Sequence, residues 1–148
     1  MKKIASYLTG VLAYLIFINI DAYACSCFPL GNEPLKQQVD RAKKNSAAVF
    51  SGKVLEVIKK PDNFQVVVKF QVQSSWKGNV SKQITITTAS DSAMCGYNFE
   101  VGESYLVYTS GADVKNLQTN LCSRTAKLSA AKADTKVLGK AKVLRKGK

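Results

Sequence analysis

The four cysteines are the residues of this sequence whose chemistry is easiest to predict. Cys25 and Cys27 form a C-x-C pair, while Cys95 and Cys122 stand alone far downstream. Four thiols either form two disulfides, with three possible connectivities, or hold a zinc ion. Structural zinc sites use C-x2–4-C pairs, often with histidine, and this sequence has neither such pairs nor any histidine. We therefore predict disulfides, and no metal or other cofactor of the chain's own.

The N-terminus has the order of a secretory signal. Lys2 and Lys3 precede an apolar run over residues 4–20, and Ala22-Tyr23-Ala24 forms an A-x-A cleavage site. The run is short for a membrane span, which needs about 20 residues. We therefore predict a signal peptide over residues 1–24 and a mature chain that begins with Cys25. The predicted location is secreted, extracellular or periplasmic, where disulfides form.

The charge balance is strongly basic, with 22 Lys+Arg against 10 Asp+Glu. Such a balance is typical of proteins with anionic partners, and export argues against nucleic acid. An anionic glycan or a membrane surface, bound through a basic tail at residues 140–148, stays open beside a merely solvated surface. The chain has no histidine and no acid pair at catalytic spacing. A cysteine nucleophile would lack a base, so we predict that the protein is not an enzyme.

Hydrophobic periodicity predicts a mainly β domain. The clearest strand alternates apolar and polar residues from position 64, with five inward positions: Phe64, Val66, Val68, Phe70 and Val72. Four further strands are predicted at residues 47–58, 83–88, 104–109 and 117–121. The first of them should carry a bulge at Ser51-Gly52, because its apolar side changes parity there.

Helical spacing predicts two short helices beside the strands. One covers residues 35–44 and the other residues 129–138, where Gly139 ends it. Trp76 is assigned to the core or the barrel edge. Five strands with glycine-bearing turns favour a small closed barrel or a sandwich.

At this point the chain resembles a known family. The start Cys25-Ser26-Cys27, the segment SAMCGYNFEVGESYLVY at residues 92–108 and the segment LCSR at residues 121–124 are similar to tissue inhibitors of metalloproteinases. The similarity is to their inhibitory N-terminal domain, a netrin-like module, and it covers residues 25–139. Animal members have six cysteines in this domain and a second domain. The short lysine-rich start and the single domain are typical of a bacterial member.

The resemblance implies a fold and a disulfide pairing. The fold is a five-stranded OB-type Greek-key barrel with one or two flanking helices and two disulfides. The implied pairing is Cys25–Cys95 and Cys27–Cys122. The residues alone exclude only a Cys25–Cys27 bond, which would close a strained ring, and both crossed arrangements stay open.

The resemblance also implies inhibition of zinc metalloproteinases by a monomer. The α-amine and carbonyl oxygen of Cys25 would chelate the catalytic zinc of the target and displace its water. Ser26 would enter the specificity pocket. The residues that would line the cleft beyond Cys25 and Ser26 are Cys27, Phe28, Pro29, Ser92, Ala93 and Met94.

Rival interpretations stay open. Ala22-Tyr23-Ala24-Cys25 partly resembles a bacterial lipidation site, and a lipid on Cys25 would block both its disulfide and chelation. The domain would then be a non-inhibitory netrin-like module that binds protein, glycan or membrane. Individual residues also have simpler roles: Phe28 as a cap on the barrel, Met94 as core filler, and Arg124 as a surface or helix-capping charge.

Overall fold

The computed structural model describes residues 25–27, 32–113 and 116–144. The predicted signal peptide, together with Phe28 and Pro29, lies outside these residues. The elements are α1 Leu35–Asn45, β1 Ala48–Lys60, a 3-10 turn Pro61–Asn63, β2 Gln65–Lys77, β3 Gln83–Ala89, β4 Ser104–Thr109, β5 Ala126–Lys127, α2 Lys132–Leu138 and β6 Lys142–Val143. The predicted fold class is confirmed for the described residues: mainly β, with two helices and two disulfides.

The strands form one antiparallel sheet in Greek-key order. β1, β2 and β3 follow one another as a meander, and β4 returns to lie beside β1. The pairing of β1 with β2 runs from Val49↔Lys77 to Lys60↔Gln65. The short strand β5 extends the sheet beside β4, and β6 pairs with the end of β2, beyond the residues of β2 that pair with β3. The described residues therefore contain six strands, one more than the sequence predicts.

A single bridging residue closes the barrel. Gln118 pairs in parallel with Thr87 of β3 and antiparallel with Ser110, which directly follows β4. The N–H of Thr87 donates to the carbonyl of Leu117 at 2.9 Å, and that of Thr119 donates to the Thr87 carbonyl at 3.0 Å. The predicted strand at residues 117–121 is thus reduced to one bridging residue, because the chain turns away at residue 120 to carry Cys122.

Strand β1 is bulged at the predicted position but not for the predicted reason. Its register against β2 shifts at three places: between Val49 and Phe50, between Ser51 and Gly52, and between Val54 and Glu56. Phe50 and Val54 both face the barrel interior, so the shift at Ser51-Gly52 does not switch the apolar side. The switch comes at the third shift, after which Val57 packs inward. Because both faces of the first half of β1 are buried, its sequence does not show which side chains face the barrel interior.

Two hydrophobic clusters lie on opposite faces of the sheet. The barrel interior holds an aromatic group whose rings meet edge to face, with Phe50–Phe70 and Phe70–Phe99 centroids 5.5 and 5.3 Å apart. The second cluster lies under both helices and consists of Val39, Val49, Leu106, Tyr108, Ala131 and Leu138. The helices therefore cover the outer face of β1 and β4.

Several predicted details are corrected. α2 begins at residue 132, since the N–H of Leu128 first bonds the Ser104 carbonyl at 2.8 Å and the chain then turns. Phe64 is not a core residue: it is 62% exposed and left-handed, with φ 52°, so β2 begins one residue later. Residues 142–144 of the tail are not simply solvated, because β6 pairs with β2 and Leu144 packs against the core.

Other predicted details agree with the structure. Trp76 is half-buried at the edge of the cluster under the helices. Gly139 ends α2 with φ 72°, and its N–H donates to the Thr135 carbonyl at 3.2 Å. Within the described residues, no helix has both the length and the apolar character that crossing a membrane requires.

Candidate functional site

The C-x-C segment is held between two turns by two disulfides. Cys25 is bonded to Cys95 and Cys27 to Cys122, with Cα atoms 5.0 and 5.2 Å apart. This is the pairing that the family resemblance implied. The Sγ atoms of Cys25, Cys27 and Cys122 lie within 4.8 Å of one another, so the two disulfides are neighbours. Each of these sulfurs is already used in a disulfide.

The first turn presents Cys95 and is closed by Asp91. The Asp91 side chain accepts a hydrogen bond from the backbone N–H of Met94 at 3.0 Å, and its carbonyl accepts one from Gly96 at 2.8 Å. Cys95 has φ 61°, in the left-handed region. These bonds turn the chain sharply, so residues 92–94 project from the barrel.

Gly96 is required by the close packing of this turn. A Cβ atom at this position would lie 2.2 Å from the carbonyl oxygen of Ala89 and 2.7 Å from that of Asp91. Backbone on both sides leaves no room for the clash to relax. A glycine is therefore the residue that allows the Cys95 turn to sit directly against the end of β3.

The second turn presents Cys122 and is joined to the first. The Asn120 side chain accepts a hydrogen bond from the N–H of Cys122 at 2.9 Å. The N–H of Leu121 donates to the carbonyl of Cys95 at 2.9 Å, so a backbone bond links the two turns. Arg124 leaves the turn in the left-handed region, with φ 48°. The two anchors of the C-x-C segment are therefore fixed relative to each other.

Buried hydroxyl groups fasten the second turn to β4. The Oγ1 atoms of Thr119 and Thr125 both donate to the Tyr108 carbonyl, at 2.9 and 3.3 Å. They also lie 2.8 Å from each other, and Ser123 Oγ lies 2.8 Å from Thr119 Oγ1. Both threonines are buried. Such a satisfied network rigidifies the segment between them, which contains Cys122.

An ion pair beneath the second turn is a feature that the sequence analysis missed. The Arg124 guanidinium donates to both carboxylate oxygens of Asp134, at 2.9 and 2.7 Å, and to Gln38 Oε1 at 2.9 Å. The Tyr108 hydroxyl donates to the same carboxylate at 3.2 Å. The pair connects the turn to α2, and Gln38 connects it to α1.

The electrostatics of this cluster follow from its hydrogen bonds and its burial. The hydrogen bonds from Arg124 to Asp134 raise the pKa of the guanidinium. Burial first, and then the Asp134 carboxylate, raise the pKa of the Tyr108 hydroxyl. One sequence signal pointed here: the chain has three arginines in total, and arginine offers the planar fork that a bidentate pair needs. Arg124 is therefore not a surface charge, and the hydrogen bonds described above go to side chains rather than to the carbonyls of a helix end.

The structure places six of the eight sequence-predicted contact residues. Cys25 is half-buried, and Ser26 and Cys27 are exposed beside it. Ser92 and Ala93 are exposed, and Met94 is 49% exposed, so the core-filler interpretation of Met94 is wrong. The disulfide Cys25–Cys95 brings these two groups together. Phe28 and Pro29 lie outside the described residues.

Phe64 is a further candidate that the sequence did not single out. It lines a cleft together with Met94 and Cys95. The N–H of Ser90 donates to its carbonyl at 2.9 Å and holds this aromatic residue next to the first turn. An exposed phenylalanine and an exposed methionine in one cleft are typical of a protein-binding surface.

Comparison with known proteins adds no assignment. No protein-family model matches this sequence, and no curated protein matches it significantly.

Proposed function

We propose that the mature chain inhibits zinc metalloendopeptidases, with the α-amine and carbonyl oxygen of Cys25 as ligands to the zinc of the target. The observation that supports this most is the double anchoring of the C-x-C segment. Cys25 and Cys27 are each tied to a rigid turn, and the exposed Ser26 lies between them. A signal peptidase that cuts after Ala24 would leave the Cys25 amine as the first atom of the protein.

The chemistry requires only backbone atoms of Cys25. A catalytic zinc keeps one coordination position for water, and that water is the nucleophile of the protease. An α-amine has a pKa of about 7.7–8, and metal binding favours its neutral form, so the amine can bind near neutral pH. Amine and carbonyl together would displace the water and stop hydrolysis.

The disulfides would contribute to affinity by reducing the entropy lost on binding. Ordering one backbone residue costs roughly 1–2 kcal/mol. Because residues 25–27 are already tied to the barrel, a complex avoids roughly 3–6 kcal/mol, or two to four powers of ten in the inhibition constant. A linear peptide of the same sequence would bind far more weakly.

The exposed side chains beside Cys25 would supply the remaining contacts. Ser26 is small enough to enter many specificity pockets and would give little selectivity. Met94 and Phe64, which line one cleft, would supply apolar contact area next to the C-x-C segment. We therefore place target selectivity at this cleft and on residues 92–94.

The test is an added alanine before Cys25, compared with the unaltered exported protein against a panel of zinc endopeptidases. Intact-mass analysis must first show a chain that begins with Cys25, carries no lipid and contains two disulfides. We expect the added residue to weaken inhibition at least about a hundredfold, because it removes the amine from the zinc. An alanine added after Lys148 is the matched control. Equal potency of the N-terminal variant and the control would refute chelation.

The rival interpretation with a lipid on Cys25 competes for the same atom. Acylation uses the Cys25 sulfur, which is bonded to Cys95 in this structure. A lipid found by mass analysis would leave Cys95 unpaired and would favour the non-inhibitory module. Absence of inhibition by an unlipidated protein with both disulfides would also favour that module.

A further inference from the structure

Strand β6 brings lysines from three distant parts of the chain to one end of the molecule. Lys142 of β6 pairs with Ser75 near the end of β2. The Trp76 indole N–H donates to the Gly139 carbonyl at the end of α2, at 2.8 Å. Lys77 then reaches the end of α1, where its ammonium group donates to the carbonyls of residues 43 and 44 at 3.0 and 2.7 Å. The ends of both helices and of β2 therefore meet.

The lysines of these three segments form a surface that we term the basic face: Lys43, Lys44, Lys77, Lys136, Lys140 and Lys142. Residues 43–46, 74–79 and 135–144 contain no aspartate or glutamate. The acids nearest in sequence to these lysines form ion pairs with other cations: Asp40 pairs with Lys36 and Asp134 with Arg124. No ion pair between described residues therefore joins a lysine of the basic face to an acid.

Stabilisation of the helix ends explains the position of only some of these lysines. A cation at a helix C-terminus gains about 0.3–1 kcal/mol from the helix dipole, and Lys77 makes this contact directly. Lys140 and Lys142 lie beyond the end of α2, and both are exposed. The remaining exposed lysines repel one another unless an anionic partner covers them.

We propose that the basic face binds an anionic polysaccharide. A membrane surface fits less well, because peripheral binding gains from inserted apolar side chains and this face presents one exposed apolar residue, Val143. Trp76 precedes Lys77 in the chain, and its indole N–H donates to the carbonyl of Gly139, the residue before Lys140. Its side chain is half-buried, and the accessible part of an indole ring suits contact with a sugar. Cations around an aromatic side chain match a polymer of sulfated or carboxylated sugars.

The basic face and the C-x-C segment lie at opposite ends of β2. Gln65, the first residue of β2, pairs with Ala89, close to the turn that holds Cys95. Lys77 is the last residue of the same strand, which has 13 residues. A strand of that length spans at most about 40 Å. A bound polysaccharide would therefore leave Cys25 uncovered. If the proposed function holds, the protein could inhibit a protease while it is bound to the polysaccharide.

The test measures binding of the mature protein to immobilised dextran sulfate over a series of salt concentrations, with uncharged dextran as the reference. The variant of the basic face is K136Q/K140Q/K142Q. The matched control, K53Q/K59Q/K60Q, removes the same charge from exposed positions on β1. We expect the first variant to bind at least about tenfold more weakly, with a shallower salt dependence, and the control to stay within about twofold of the wild type.

Two outcomes would overturn the proposal. Equal losses in the two variants would mean that net charge alone drives binding. Stronger binding to anionic phospholipid vesicles than to dextran sulfate would assign the face to membranes. Thermal unfolding of both variants checks that the six exposed substitutions leave the fold intact. The measurement uses no protease, so its result is independent of whether the protein inhibits one.

Discussion

Arg124 and Asp134 are joined by two parallel hydrogen bonds, at 2.9 and 2.7 Å, across the space between the Cys122 turn and α2. Their side chains are only 16% and 11% exposed. Because Cys122 lies two residues before Arg124 and is bonded to Cys27, this ion pair supports one anchor of the exposed C-x-C segment. The helix thereby contributes to a site that it does not line.

Asp134→Ala is expected to destabilise the oxidised protein by about 3 kcal/mol. The substitution leaves a largely buried guanidinium with Gln38 as its remaining side-chain partner, and an uncompensated buried charge is costly. Urea unfolding monitored by Trp76 fluorescence measures the change.

Two controls separate charge from packing in that experiment. Replacing both partners, in Arg124→Met with Asp134→Leu, should cost less than the single change because no charge is left buried. Lys36→Ala breaks the exposed Lys36–Asp40 pair and should alter stability by less than about 0.5 kcal/mol. If Asp134→Ala were as stable as Lys36→Ala, the ion pair would have no structural role.

Gly96→Ala is expected to lower the free energy of unfolding by more than about 2 kcal/mol and to displace the Cys95 turn. The new Cβ atom would meet backbone oxygen at 2.2 Å, which side-chain movement cannot relieve. Gly102→Ala is the matched control: it has φ 90° but nothing within 4 Å of its Cβ position, so only strain of about 1 kcal/mol is expected. Chemical denaturation of both variants measures the two losses of stability. Equal losses would contradict a role for steric crowding at Gly96.

Regular patterns in this sequence predicted the long strands, and short or irregular elements escaped prediction. Val66, Val68 and Phe70 alternate and are buried as expected. Phe64 continues the same alternation, yet its left-handed backbone turns it into solvent. A period of two residues cannot be recognised in β5 or β6, which contain two residues each. Long-range pairing creates these strands, and local sequence carries little of that information.

The candidate site was predictable only where residue type restricts geometry. Cysteine chemistry and the A-x-A sequence identified Cys25, but the residues alone left two disulfide pairings open. The structure has Cys25 bonded to Cys95 and Cys27 to Cys122, and the Leu121–Cys95 backbone bond sets the two turns side by side. The Arg124–Asp134 pair was not predicted from the sequence, for a similar reason. Its partners are ten residues apart across a left-handed turn, a spacing that matches neither a helix nor a strand.

Removing either disulfide is expected to destabilise the protein by about 4–5 kcal/mol, because the bonds close loops with sequence separations of 70 and 95 residues. The variants are Cys25→Ser with Cys95→Ser, and Cys27→Ser with Cys122→Ser. If the proposed function holds, inhibition should fall about a hundredfold or more in the first variant although its amine is retained, because the terminus is no longer pre-ordered. Undiminished inhibition would show that the anchoring of Cys25 does not contribute to affinity.

Tyr108 is expected to make stability fall at alkaline pH. Burial and the neighbouring Asp134 raise the pKa of its hydroxyl, whereas the same group in the unfolded chain ionises near pH 10. Above about pH 10 the folded state therefore holds a proton that the unfolded state has lost, and the free energy of unfolding decreases as pH rises. Below that pH both states are protonated, and the contribution is present in full.

Tyr108→Phe isolates this effect, since lysines and the other tyrosines titrate alike in both proteins. The variant loses the hydrogen bond to Asp134, which should lower the free energy of unfolding by about 1 kcal/mol at neutral pH. Urea unfolding between about pH 7 and pH 11 should give a constant difference up to roughly pH 9.5 and a shrinking one above it. A difference that stays constant to the end of the range would mean that the hydroxyl ionises as readily in the folded protein as in the unfolded chain.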